Sequence, residues 1–477
     1  MAFNSAEFAL FFPAILIAYW LLRRHLSAQN TLLLVGSYLF YGWWDYRFLS
    51  LIAVSTIADY SIARRLGVTD DERARKLLLI ASAVVNLGIL GFFKYYGFFV
   101  GSFEQLVSGL GLDVTAPTLR IVLPIGISFY TFQTLSYTFD VYRRRIDPEC
   151  NIITFGVYVA YFPQLVSGPI ERAAHLLPQI RRTRVHLGIE KIWSGAWLIL
   201  TGLFKKIVIA DGVASIVSSR FDDPSAHGAA SLLVGAYAFS IQIYGDFSGY
   251  SSIARGVSRL LGIELIRNFE QPYLSKNISQ FWRTWHISLS TWLHDYLYVP
   301  LGGNRNGTWD TYRNLMLTML LGGLWHGAAW TFVVWGGIHG ALLAGHRRLG
   351  KYEPRGRPEL PRLGDLWKIV VTFHIVTFAW IVFRANDFTR AVDYFAGLTR
   401  FGDFASPGEL GLAAVMVVVG IFALVMLAMD LVDRNRYENE PLTRWSPILI
   451  GVVAGLMIAG LLVFGGGAPE PFIYFQF

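Results

Sequence analysis

Two histidines stand in apolar, glycine-rich surroundings: His326 within Leu324-Trp325-His326-Gly327, and His339 within Gly337-Ile338-His339-Gly340. Both fall in the stretch from Asn314 to His346, which is otherwise almost wholly apolar. About 20 such residues suffice to cross a bilayer. An ionisable side chain at membrane depth is costly, so it marks a functional site unless a helix bundle satisfies it structurally. Gly322, Gly323 and Gly327 bracket the first histidine; Gly336, Gly337 and Gly340 bracket the second. Glycine lets a backbone or a ligand approach closely, and small residues also let membrane helices pack. Both readings are open. On one continuous helix the two histidines are about 20 Å and about 220° apart. They then share no reacting atom, and one is chemical while the other supports packing, unless the glycines break the helix.

A second polar constellation lies in SQFWRTWHISLSTWLHDYLYVPLGGNR, residues 279–305. Phe281, Trp285, Leu289, Trp292 and Tyr296 recur at helical spacing. Arg283, His286, Ser290 and His294 recur on another face. The spacing predicts one amphipathic helix, either lying in the membrane interface or lining an aqueous cavity. No GxSxG elbow, HExxH or P-loop is present. No carboxylate or cysteine cluster joins His286 and His326, so no metal site is expected. Histidine near neutrality suits general-base work on a hydroxyl. That chemistry requires an acyl donor.

The elements that must position these groups are membrane helices. Of 477 residues, 54% are hydrophobic and only 16% charged, against about 25% charged in soluble proteins. Apolar runs recur from end to end without the alternation of a barrel. The expected fold class is an all-α multi-pass membrane protein, a single membrane-embedded domain over 1–477 with roughly a dozen spans. The net charge of +8 sits in short clusters beside apolar runs, as the positive-inside rule expects, and implies no nucleic acid. A single cysteine, Cys150, excludes an internal disulfide.

The first apolar run ends at Arg23-Arg24, which predicts an extracytoplasmic N-terminus. Clusters at Arg64-Arg65, Arg73 to Lys76 and Arg143 to Arg145 follow pairs of further runs, consistent with that orientation. Residues 161–170, YFPQLVSGPI, are too rich in proline and glycine for a straight span and predict a broken or re-entrant segment. Plausible spans cover 192–212 and 231–249, the first interrupted by Lys205-Lys206, and later ones lie near 368–384, 411–430 and 447–465.

QFWRTWHISLSTWLHDYLYVPLGGNR followed by LGGLWHGAAWTFVVWGGIHG strongly resembles the membrane-bound O-acyltransferases, in particular the bacterial branch that acetylates alginate and other exopolysaccharides. YFPQLVSGPIER and YGDFSGYSSIARG are similar to that branch too. The resemblance is densest from about 120 to 345, with peripheral spans over 1–110 and 365–477. It implies tilted helices around a central tunnel, with a thioester entering from the cytoplasm and a hydroxyl acceptor from outside. The family's catalytic histidine falls on His326 and its second motif histidine on His286. Arg283, Ser290, Trp325 and Gly327 are then candidates for the tunnel wall, and His339 for support.

What the resemblance implies is acetyl transfer across a bacterial inner membrane. No cofactor stays bound; the thioester, acetyl-CoA or an acyl carrier, is a co-substrate. The implied partners are an extracytoplasmic acetyltransferase of the SGNH type, the polysaccharide secretion machinery and membrane lipid. Transfer to teichoic acid or peptidoglycan is the enzymatic alternative. A proton-relaying transporter is the non-enzymatic one, although the repeated halves often seen in transporters are not visible here.

Overall fold

The computed structural model describes every residue except 113–118, 120, 167, 185, 351–361, 401–410, 434–444, 467–469 and 476–477. Lys351, Arg434 and Arg436, basic residues beside apolar runs that the positive-inside rule places in the cytoplasm, lie outside the described residues, as does Ser167 of the 161–170 motif. The described residues form helices and loops without a strand. Among them four helices are long and apolar enough to cross a bilayer: Glu72–Gly109, Leu363–Arg384, Leu412–Val432 and Pro447–Phe464. The last three coincide with expected spans. The expected first span is a helix of only 16 residues, Ala6–Leu21, with Pro13 inside it. Leu49–Val68 has the length, but Asp59, Arg64 and Arg65 make it too polar for that class.

The contacts divide the chain into two compact units. One comprises Met1–Ala196 with Ala254–Ile266. Some of its helices begin on side chains that accept orphan backbone N–H groups. Asp71 accepts from Ala74 N at 2.8 Å, and Asn151 from Ile153 N and Thr154 N. Where Leu49–Val68, Glu72–Leu90 and Ile127–Tyr142 meet, the interior is polar. The buried Asp59 accepts from Ser82 Oγ at 2.5 Å and Asn86 Nδ2 at 2.8 Å. Such groups survive burial only when paired.

The break expected at 161–170 is present. The helix Ile152–Ala160 stops at Tyr161, a single turn Phe162–Leu165 follows, and residues 169–172 have no regular structure. Phe162, Gln164, Leu165 and Ile170 are buried, and Gln164 donates to Gln133. The basic clusters meet at one end of this unit. Arg75 donates to the carbonyls of Leu66 and Tyr142, each at 2.6 Å. Arg144 pairs with Asp70 at 3.4 Å, Arg181 with Glu149 at 2.6 Å, and Arg64 donates to Cys150 Sγ.

The other unit comprises Trp197–Ile253 with Arg267–Phe477. The run from Asn314 to His346 is not one helix. Thr308–His326 and Trp330–Arg348 form an antiparallel hairpin broken at Gly327 to Ala329. A Cβ on Gly323 would overlap the Phe332 carbonyl, and one on Gly336 the Met319 carbonyl. The two helices therefore cross backbone against backbone, as small residues permit. The helix Leu366–Arg384 packs on the hairpin through Trp380 against Trp335 and Phe383 against Phe332. Lys206, in the wide helical turn Phe204–Ala210, is buried and pairs with Asp211 at 2.8 Å and Asp246 at 3.0 Å.

Candidate active site

The single amphipathic helix expected within 279–305, with its stripe from Phe281 to Tyr296, is broken in the middle. Asn277 caps a first helix, Ile278–Thr284, by accepting from Gln280 N at 2.8 Å. Trp285 is extended, His286 is left-handed with φ 41° and ψ 56°, and a second helix runs Ile287–Leu293. A left-handed non-glycine residue costs about 1–3 kcal/mol and persists only where its surroundings hold it. Here Asn268 does the holding. Its carbonyl accepts from Ile287 N at 2.9 Å, its side-chain oxygen from Ser288 Oγ at 2.6 Å, and its Nδ2 donates to Ser251 Oγ. The aromatic stripe from Phe281 to Tyr296 is buried as its spacing implied. The break takes His286 out of the polar seam and encloses it wholly, while Arg283, Ser290 and His294 still line one cavity and His294 pairs with Asp295 at 2.7 Å.

His326 is the last residue of its helix, and Gly327 turns the chain into the hairpin loop. The Phe332 ring packs where a side chain on Gly327 would stand. The His326 ring meets Trp325, Trp335 and Phe383 edge-on at centroid distances of 5.1, 5.2 and 5.4 Å. His286 and His326 come together, ring centroids 6.3 Å apart, with Trp325 touching both. Two aromatic residues complete the enclosure. Phe247 lies 4.6 Å from the His286 ring, and Tyr474 lies 5.6 Å from His326 and 6.5 Å from His286.

His339 is placed differently. Trp335 stands between it and His326, 4.7 Å from the one and 5.2 Å from the other. Its Nδ1 accepts from Trp282 Nε1 at 3.2 Å. Arg283 and Ser290 line a cavity of about 810 Å³ that also has Trp282, His294 and Arg305 in its wall. Trp325 and Gly327 are not part of that wall; they belong to the histidine pair. Among the described residues no three His, Cys, Asp or Glu side chains gather as metal ligands do.

Asn268, Phe247, Tyr474 and the Lys206–Asp246 pair were not singled out from the sequence. Asp246 lies within YGDFSGY, and the charges inside apolar runs at 206 and 246 are the available signal. Asn268 and Tyr474 act through contacts far along the chain and leave no local pattern.

Residues 143–384 match the membrane-bound O-acyltransferase family. The chain is 41% identical over 452 residues to the probable alginate O-acetylase AlgI of Pseudomonas aeruginosa, covering 94% of this chain and 84% of that one. It is 38% identical over 504 residues to the probable alginate O-acetylase AlgI of Pseudomonas putida, covering all of both chains. With the peptidoglycan O-acetyltransferase of Helicobacter pylori it shares 33% identity over 429 residues, 83% of this chain and 80% of the other. Family match, high-coverage identity and apolar helices agree: the chain belongs to the membrane-bound O-acyltransferase family and is a membrane acyltransferase.

Proposed function

We propose that the chain carries an acetyl or other short acyl group from a cytoplasmic thioester to a hydroxyl on the outer face of a bacterial inner membrane. The observation that carries this reading is the meeting of His286 and His326, from separate helical elements, inside one aromatic enclosure. His326 acts as general base. One ring nitrogen takes the hydroxyl proton while the hydroxyl oxygen attacks the thioester carbonyl carbon; the C–S bond then breaks and the thiolate leaves. His286 orients the reacting groups, and Trp325 and Gly327 set the His326 ring. The donor, acetyl-CoA or an acyl carrier, is a co-substrate. The cavity bearing Arg283, Ser290 and Arg305 suits its arm, since guanidinium groups recognise phosphate.

The acceptor in this reading is an exopolysaccharide, or a partner acetyltransferase of the SGNH type that serves the polysaccharide secretion machinery. Similarity to a peptidoglycan O-acetyltransferase favours peptidoglycan as the second reading. About a dozen spans around a tunnel, an extracytoplasmic N-terminus and one membrane-embedded domain over 1–477 belong to the same proposal.

The test is His326→Ala, with membrane abundance followed alongside alkali-labile acetate on secreted polysaccharide and on peptidoglycan. General-base loss predicts a fall of about 100-fold or more at normal abundance. Undiminished acetate would sink the assignment, and the polymer that loses acetate identifies the acceptor.

A further inference from the structure

The geometry points to Asp246, backed by Lys206, as a positioning residue for this reaction: it grips the segment Phe472–Tyr474 and holds it against the paired histidines. The inference rests on the histidine reading above. Asp246 and Lys206 are both nearly inaccessible, 3% and 1% exposed, and their charges lie 3.0 Å apart. Lys206 also reaches Asp211 at 2.8 Å, so one ammonium group serves two carboxylates. A buried ion pair is weak evidence of stabilisation, because desolvation offsets the attraction. Its retention calls for another account.

The second oxygen of Asp246 supplies one. Oδ2 accepts the backbone N–H of Ile473 at 2.7 Å. That bond holds the main chain one residue before Tyr474, whose ring faces His326. The next residue on the same helix, Phe247, closes the arrangement. Its ring touches His286 at 4.6 Å, Tyr474 at 4.7 Å and Phe472 at 5.7 Å. Tyr250, one turn on, packs on Phe472 at 4.5 Å, and Lys206 lies over the Tyr250 ring. A single turn of helix thus fixes the segment through its backbone and both aromatic side chains, and touches a histidine as well. Lys206, 3.0 Å from Oδ1, aims the Asp246 carboxyl group and leaves Oδ2 to the N–H of Ile473.

The test uses the full chain in membranes, with Cys150→Ser to remove the native thiol and Phe472→Cys as reporter. With Asp246 intact, a permeant maleimide is expected to label the reporter slowly. Asp246→Ala should raise the labelling rate tenfold or more and, in a chain with the native Phe472, lower acetate transfer per copy of protein by a similar factor. Asp246→Asn, whose amide oxygen still accepts an N–H, should restore protection and at least a third of the transfer. Ile473→Pro, with the native Phe472, deletes the N–H and leaves the ion pair intact. It should lower transfer tenfold at normal abundance, and it decides the matter if Asp246→Ala fails to accumulate. Full transfer by Ile473→Pro, or equal labelling with and without Asp246, would overturn the proposal. Labelling is also read with His326→Ala. Transfer retained by that chain would refute the histidine reading, while the labelling contrast still judges the grip.

Discussion

At the scale of single residues, His286 combines two demands that substitution can separate. Its backbone is left-handed, a conformation asparagine accepts readily and β-branched residues do not. Its ring is enclosed beside His326. His286→Asn should therefore keep detergent-solubilised stability within about 1 kcal/mol of the parent, while His286→Val adds backbone strain of about 1–3 kcal/mol. Both should lose transfer, and an active His286→Asn chain would remove the ring from the mechanism. His339, behind Trp335 and bonded to Trp282, should tolerate Gln better than His326 does. Comparing acetate per copy of His339→Gln and His326→Gln ranks the two. Equal losses at equal abundance would reverse the order.

At the scale of elements, the site depends on how two helical segments are interrupted. Asn268 pins the start of Ile287–Leu293. Asn268→Ala deletes the bond from the buried Ser288 hydroxyl and the one to Ser251, at a cost of about 1–3 kcal/mol, visible as a lower unfolding temperature in detergent. Gly323→Ala pushes a methyl into the Phe332 carbonyl and should cost at least as much; unchanged stability would show that the hairpin crossing is not close. These interruptions mark the limit of what could be read in advance. His326 could be picked out as a candidate because a titratable group in an apolar run is costly, a signal it shares with His339. The stripe Phe281, Trp285, Leu289, Trp292 and Tyr296 was legible because helical spacing survives the break. The break itself was not, since nothing in TWHIS forbids a helix and the reason for stopping is Asn268, outside the motif. Tyr474 was invisible for the same reason: its place is set by Asp246, more than two hundred positions away in the chain.

At the scale of the whole molecule, sidedness and pH are the measurable properties. In a Cys150→Ser background, Arg144→Cys should be labelled only from the cytoplasm and Asn4→Cys only from outside. Labelling of both from one side would overturn cross-membrane transfer. Away from the spans, the Glu171 carboxylate bonds His175 at 2.7 Å and raises its pKa above the ordinary 6.5. A raised histidine contributes its stability in full below the unfolded value and loses it as pH climbs through the folded one. Thermal stability should thus decline as pH rises above the ordinary 6.5, and His175→Gln should flatten that slope; an identical slope would clear His175 of any part in it. The hairpin Thr308–His326 and Trp330–Arg348 has a consequence for biosynthesis. Neither arm is among the four helices apolar enough to cross alone, and Asp310 and Arg313 weigh on the first. A nascent arm of that polarity partitions poorly into lipid by itself. The two arms are therefore expected to insert together as one hairpin, with His326, the proposed base, carried at its tip.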